Sequence, residues 1–257
     1  MASLLLTVLG SGTSMGVPTL GCHCAVCESQ DPRDKRTRPS ILLAYHGHNV
    51  VIDTTPDFRT QAMREHIDRL DAVIYTHAHA DHILGLDDIR PYNLKQSGVV
   101  PVYASQISQQ TLRRQFAYIF EEGPTESSLP GVEMHTIDGS FELFGLKITP
   151  LPAKHGTQPV LGFRFGKGAY LTDFSSVPET SKALLHGLDD FVLDALRYTP
   201  HPMHSNVEQS LALLSELKPK RAWFTHICHD LGHGAANAKL PPGVQLAYDG
   251  LKFEVEI

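Results

Sequence analysis

Thr76-His77-Ala78-His79-Ala80-Asp81-His82 decides how the rest of the chain is read. Three imidazoles and one carboxylate fall within six consecutive residues. Asp71-Ala72-Val73-Ile74-Tyr75 precedes them, a short apolar and β-branched run with the character of a buried strand. Ile83-Leu84-Gly85-Leu86-Asp87-Asp88 follows and opens a helix. The cluster therefore occupies a strand-to-helix turn, where α/β folds build their sites. Four ligand-type groups at the end of a buried strand are costly unless something binds them. Imidazole nitrogen and carboxylate oxygen suit Zn²⁺, Mn²⁺ or Fe²⁺. His77 and His79 alternate and can converge on one ion, and Asp81 and His82 on the turn can reach a second.

Ligand-type residues recur where later strands end. Lys147 to Leu151 leads to Lys154-His155-Gly156, Ala169-Tyr170-Leu171-Thr172 to Asp173, and Arg221-Ala222-Trp223-Phe224-Thr225 to His226. One edge of a sandwich collecting side chains from several strand ends produces this pattern. The working assignment gives His77, His79 and His155 to one ion, and Asp81, His82 and His226 to the other. Asp173 bridges them, because a carboxylate has two oxygens to share. Asp173 also has the chemistry of a helix N-cap. Asp53, ending the strand Asn49-Val50-Val51-Ile52, is expected to hold a ligand imidazole in its tautomer.

The 257 residues fit a single domain over 1–257 with a substantial core. Hydrophobic content is 42%, charged content 19% and net charge −6, so no broad electrostatic footprint for nucleic acid exists. No apolar run is long enough to span a bilayer. Leu4 to Leu9 is apolar but lacks a basic flank and runs into Gly10-Ser11-Gly12-Thr13, which makes it an opening strand and not a signal peptide. Three of the four cysteines, Cys22, Cys24 and Cys27, crowd the loop Gly21-Cys22-His23-Cys24-Ala25-Val26-Cys27, and Cys228 lies far along the chain. That spacing fits metal binding in a reducing compartment, which makes cytoplasmic the expected location.

Ser40 to Tyr45 and Asn49 to Asp53 are expected to pair as antiparallel strands through His46-Gly47-His48. Helices are expected over Asp57 to Arg69, Ser105 to Phe120 (capped by Ser105 or Ser108), Pro178 to His186 and Val207 to Leu217. Glu121 to Gly131 has the Gly, Pro and Ser content of a loop. Gly162 to Phe165 and Ala169 to Thr172 form a hairpin. Val244 to Tyr248 and Leu251 to Ile257 are expected to close the chain as another, across Asp249-Gly250.

His77, His79, Asp81 and His82 reproduce the H-x-H-x-D-H motif, and the chain resembles the metallo-β-lactamase-fold hydrolases over nearly its whole length. The resemblance implies an α/β four-layer αββα sandwich with a dinuclear site. Leu9-Gly10-Ser11-Gly12-Thr13-Ser14-Met15-Gly16-Val17-Pro18 is of the kind found in transfer-RNA 3′-processing nucleases and their relatives. Together with the cysteine loop and Thr225-His226-Ile227-Cys228-His229, it is most similar to the phosphoribosyl 1,2-cyclic phosphate phosphodiesterases of phosphonate breakdown. In those relatives the three cysteines and the second histidine of T-H-x-x-H hold an extra zinc, which maps onto Cys22, Cys24, Cys27 and His229. Three thiolates and an imidazole are a closed structural-zinc set, with Cys228 as the rival fourth ligand.

The function implied is a dinuclear metal-dependent phosphodiesterase that cleaves a small phosphodiester, cyclic ones included, through a hydroxide bridging two Zn or Mn ions. Asp81 is expected to orient that nucleophile. His204, in His201-Pro202-Met203-His204-Ser205, is the candidate general acid, because the relatives place a histidine at the matching spot. Gly85 to Asn93 departs from the pattern of the phosphonate-pathway enzymes, and Arg90, Tyr92 and Lys154 are candidate substrate contacts, with Asn93, Arg164 and Arg197 behind them. The partner is a small molecule, with no nucleic acid and no membrane, and a homodimer is compatible with the pattern. Three rivals stay open: a transfer-RNA 3′-nuclease, a lactonase or thioesterase on the same fold, and a non-catalytic metal sensor.

Overall fold

The computed structural model describes residues 3–121 and 128–257, so six residues of the expected Glu121 to Gly131 loop lie outside the described residues. Two seven-stranded sheets face each other. The first contains β1 (Ser3–Gly10), β2 (Ser40–Tyr45), β3 (His48–Ile52), β4 (Ala72–Ile74), β5 (Val100–Ala104), β6 (Val132–Thr136) and the last strand, β14 (Lys252–Glu256). Their spatial order is β14-β1-β2-β3-β4-β5-β6. The second contains β7 (Phe141–Leu143), β8 (Leu146–His155), β9 (Gln158–Phe165), β10 (Gly168–Leu171), β11 (Asp190–Asp194), β12 (Arg221–Thr225) and β13 (Val244–Leu246), arranged in sequence order. In both sheets an antiparallel half gives way to parallel strands, β3 through β6 in one and β10 through β13 in the other.

Side-chain alternation assigns each strand to two cores. Val50 and Ile52 point between the sheets and meet Ile148, Phe163 and Tyr170 from the other side, whereas Val51 and Val73 point outward. The outward face of the first sheet is covered by α1 (Phe58–Arg64), through Phe58 and Ala62, and by Ile83, at the end of α2 (Ala80–Ile83). It is also covered by α4 (Gln106–Gln115), through Leu112, with α3 (Arg90–Gln96) before it and α5 (Ala117–Phe120) after it. The second sheet sends Leu171, Phe191, Leu193 and Phe224 outward against Leu185 of α6 (Glu179–Leu185), Leu214 of α7 (Val207–Leu217) and Ala236 of α8 (His233–Asn237). Strands buried on both faces have continuous apolar runs, and Phe191-Val192-Leu193 is one. The result is the αββα sandwich. Among the described residues, no helix is long and apolar enough to cross a membrane.

Local chemistry sets the boundaries. His46 (φ 49°) and Gly47 (φ 80°) are both left-handed, the two-residue turn that closes the β2–β3 hairpin at Tyr45↔His48. The helix expected over Asp57 to Arg69 stops at Arg64. His66 turns left-handed (φ 53°) and Ile67 N donates to Ala62 O (3.0 Å), so the buried Ile67 and Leu70 lie past the helix end. Ser105 caps α4 by accepting from Ser108 N, and the run to Phe120 breaks at Phe116. Asn206 and Gln209 form a capping box at the start of α7, which anchors the segment before it.

The closing hairpin does not form. Val244–Leu246 pairs parallel with β12 in one sheet, and Lys252–Glu256 pairs antiparallel with β1 in the other. Asp249-Gly250 is a crossing between sheets. Its carboxylate accepts from Ser11 N (2.9 Å), Ser11 Oγ (2.9 Å), Thr37 N (2.8 Å) and Thr37 Oγ1 (2.6 Å). A turn pair with that many long-range partners is fixed by tertiary contacts, which local turn chemistry does not register.

Candidate metal centre

Both sheets send residues to one edge. From the first come Asp53 after β3 and the turn from Thr76 to His82 after β4. From the second come His155 at the end of β8, Asp173 after β10, Asp194 closing β11 and His226 after β12. The parallel strands present carboxyl ends here, the side of an α/β sheet where sites form.

Two groups of ligand atoms converge, each within 4.8 Å of one another: His77, His79 and His155, and Asp81, His82, Asp173 and His226. Asp173 offers one oxygen to each neighbour, Oδ1 at 3.1 Å from His226 Nε2 and Oδ2 at 3.2 Å from His82 Nε2. It also belongs to a cluster with His155 and His204, which puts it between the groups as a bridging carboxylate requires. Asp173 caps no helix. Its backbone is left-handed (φ 55°), as are Asp53 (φ 68°) and His226 (φ 56°), and α6 begins only at Glu179. Non-glycine residues in that conformation cluster at functional sites.

The donor set fits divalent ions. His77 Nε2, His82 Nε2 and His226 Nε2 are buried and no hydrogen bond satisfies them. The opposite ring nitrogens are occupied: His77 Nδ1 lies 3.0 Å from Thr76 Oγ1, His82 Nδ1 2.8 Å from Asp53 Oδ2, and His155 Nδ1 2.7 Å from Met203 O. Asp53 is itself fixed by Thr76 N (2.9 Å) and Thr76 Oγ1 (2.8 Å), so it holds His82 as expected. Imidazoles pinned at one nitrogen and vacant at the other are what a metal centre needs.

The charges point the same way. Burial holds the His77 pKa well below the usual imidazole value and takes His155 down to about 4. Burial also opposes charge on His82 and His226. The carboxylates of Asp173 and Asp81 overcome it, carrying His82 well above its ordinary value and His226 up to about 9. Burial likewise resists the Asp173 carboxylate, yet His226 and His82 hold its pKa well below normal. Without a metal, then, the carboxylates draw protons onto His82 and His226. A divalent ion takes the place of those protons.

His204 stands beside both groups. Its Nδ1 is 2.9 Å from Asp194 Oδ2 and 3.8 Å from Asp173 Oδ1. Its ring lies 4.5 Å from that of His155 and stacks on His226 at 4.6 Å. Burial raises the Asp194 carboxyl pKa, and the bond to His204 works against that rise. Asp194 was not singled out in the sequence. Its signal is the one that marked Asp53, an acidic residue ending an apolar strand.

A second centre lies nearby. His229 Nδ1 is 3.1 Å from Cys22 Sγ, 3.4 Å from Cys27 Sγ and 3.5 Å from Cys24 Sγ. Bonds of about 2.3 Å to sulfur and 2.0 Å to nitrogen in a tetrahedron place S and N about 3.5 Å apart, so the set suits zinc. The backbone N–H of Cys27 helps hold the Cys24 thiol down at about 6, and burial pushes Cys27 up to about 11. Cys228 is outside the group. It is buried and accepts from Asp230 N at 3.4 Å. Fully buried Arg36 clamps the segment that follows to the cysteine loop, donating to Cys228 O (3.0 Å), Leu231 O (2.6 Å) and Asp34 Oδ1 (2.9 Å).

The expected substrate contacts are not gathered here. Tyr92 donates to Ile67 O (2.8 Å) and packs near Phe58 under α1. Lys154 neighbours His155 on β8, so it leaves the opposite face of the strand and is exposed. Arg90 pairs with Asp87 and donates to Ser128 O (3.1 Å). Asn93, Arg164 and Arg197 spend their donors on backbone carbonyls of Gly131, His186 and Pro200, respectively.

Residues 48–227 match the model of the β-lactamase superfamily domain. A solved structure described as a new diphosphatase from the PhnP family is 53% identical, with a TM-score of 0.92 over 98% of this chain and 97% of that one. A protein of Porphyromonas gingivalis named octanoyltransferase is 37% identical over 97% of this chain and 51% of its own length. A ribonuclease Z of Bradyrhizobium diazoefficiens is 28% identical over 52% of this chain and 46% of its own length. The chain spans about half the length of the curated relatives it matches.

Proposed function

Because the chain belongs to the β-lactamase superfamily, as a metallo-β-lactamase-fold hydrolase related to the PhnP family, we propose that it is a metal-dependent phosphodiesterase acting on small phosphodiesters, cyclic ones such as phosphoribosyl 1,2-cyclic phosphate included. The observation that carries this reading is the His204–Asp194 pair (2.9 Å) set against the ligand rings of His155 and His226. Ester cleavage that releases an alkoxide needs a proton at the leaving oxygen. Asp194 occupies Nδ1 of His204, so Nε2 is the atom that hands the proton over. His77, His79 and His155 hold one ion, Asp81, His82 and His226 the other, and Asp173 spans them. Two divalent ions, zinc or manganese, would supply water acidified to about neutral pKa and positive charge for the phosphoryl oxygens. Asp81 accepts the proton of the attacking water and aligns it. Cys22, Cys24, Cys27 and His229 hold a structural zinc.

A diphosphate substrate is a second reading, favoured by the 53% identical diphosphatase. Its leaving group is a phosphate, which depends less on an acid. The ribonuclease Z likeness keeps transfer-RNA 3′-processing as an alternative, against which the net charge of −6 weighs. The test is metal analysis and a substrate panel on one preparation. Bis(p-nitrophenyl) phosphate, phosphoribosyl 1,2-cyclic phosphate, cyclic nucleotides, a nucleoside diphosphate, precursor transfer RNA, an acyl-homoserine lactone and an octanoyl thioester form the panel. Turnover of the cyclic diester above all others, with two ions in the paired site and one at the thiols, is expected. Turnover confined to the thioester or lactone refutes the reading.

A further inference from the structure

We propose that Gln158 is a positioning residue for the ion at His77, His79 and His155, fixing which nitrogen His79 offers to the metal. The β8–β9 hairpin turns on Gly156 and Thr157, so His155 and Gln158 are direct cross-strand partners. One strand delivers a ligand imidazole. The other delivers Gln158, whose Oε1 lies 3.0 Å from His79 Nε2. The hairpin is held against the ligand turn by Leu161 N donating to Thr76 O at 3.0 Å. An amide oxygen only accepts, so the proton of His79 sits on Nε2. A protonated ring nitrogen has no lone pair for a metal, which leaves Nδ1. The amide in its other orientation would donate to Nε2 and put the ring proton on Nδ1, closing His79 to the ion; the oxygen-inward orientation is therefore the one compatible with binding.

His79 differs in this from its two companions. Thr76 Oγ1 and Met203 O face Nδ1 of His77 and His155, which turns Nε2 of both toward the ion. Those holds are a buried hydroxyl and a backbone carbonyl. The hold on His79 is one exposed side chain. Substitution at Gln158 therefore weakens one ion and leaves the other two in place. The inference rests on the paired-metal reading and not on the substrate.

The test reads metal, not turnover. In the zinc-loaded wild type, long-range ¹⁵N–¹H spectra are expected to show His79 as the Nε2–H tautomer with metal at Nδ1. An Nδ1–H form overturns the proposal. In chelator competition, Gln158→Leu is expected to weaken the three-histidine ion ~10- to 100-fold, the usual loss when a partner of a ligand is removed, with the second ion and the thiol-bound zinc unchanged. Gln158→Glu keeps an acceptor and is expected to hold the ion at least as tightly as the wild type. Wild-type affinity in Gln158→Leu, or equal losses in both variants, overturns it. Because no substrate is involved, inactivity on every phosphodiester would leave these outcomes unaffected.

Discussion

Replacing His204 by alanine separates proton donation from metal binding, and the structure sets the size of each effect. A positioned general acid contributes about 10²- to 10⁴-fold, so kcat on a diester with an alkoxide leaving group should fall by that factor. On bis(p-nitrophenyl) phosphate, whose leaving group departs unprotonated, the loss should be far smaller. His204 belongs to neither the His77/His79/His155 nor the Asp81/His82/Asp173/His226 group, so bound metal should not change. Stability should. Asp194 is fully buried, its Oδ1 has no hydrogen-bond partner and its Oδ2 faces His204. Removing one partner of a buried pair costs about 3–5 kcal/mol, and the lower end applies because the His204 side chain is 13% exposed. At about 2–4 °C per kcal/mol, a loss of about 3 kcal/mol lowers the melting temperature by roughly 6–12 °C.

The sign of the pH dependence follows. Burial already raises the Asp194 pKa in the folded protein, and losing His204 raises it further. A carboxyl whose folded pKa lies above its unfolded value of about 3.9 costs nothing below that value. The deficit of the variant grows as pH rises above it and levels off beyond the folded pKa. Melting curves of His204→Ala and of the double variant His204→Ala/Asp194→Asn, taken from pH 4 to pH 8, check this. The double variant should recover most of the loss at pH 7. If it recovers nothing, or if His204→Ala loses metal in proportion to activity, the assignment of His204 as a proton donor held by a buried carboxylate is wrong.

Three further outcomes are expected. Asp53→Asn should weaken the ion at His82 about 10- to 100-fold in calorimetric titration, because Asp53 Oδ2 holds His82 Nδ1 at 2.8 Å. Cys24→Ser should remove one zinc per chain by metal analysis and lower the melting temperature, with paired-site occupancy preserved; unchanged zinc would exclude the thiol centre. Gly156→Ala should cut kcat and stability together, by about 1–3 kcal/mol in a denaturant titration, because its φ is +61° and a new Cβ would overlap the Met203 side chain beside His204.

The first ligands were legible because they are consecutive: a strand period ending in His77-Ala78-His79-Ala80-Asp81-His82 announces itself in seven letters. His155, Asp173 and His226 were legible by position, each closing a β-rich run. Asp194 obeyed the same rule and was passed over, since a lone acidic residue after an apolar strand carries no spacing signal of its own. Gln158 was invisible, because its role comes from the cross-strand pairing with His155. The misplaced last hairpin has a related cause. Asp249-Gly250 has ordinary turn chemistry, and only the contacts of Asp249 with Ser11 and Thr37 reveal that its two strands part company. Arg90, Tyr92 and Lys154 failed for want of side-chain direction, which sequence proximity to a ligand does not supply.

The two sheets contribute unequal hardware to one seam: His77, His79, Asp81 and His82 arrive from one, His155, Asp173 and His226 from the other. An ion caught there rivets the halves of the sandwich together, and its binding energy counts toward cohesion as well as chemistry. A chelator should consequently act as a local denaturant. It would unzip this edge, speeding amide exchange after β4 and β12, while the apolar middle between the sheets stays shut.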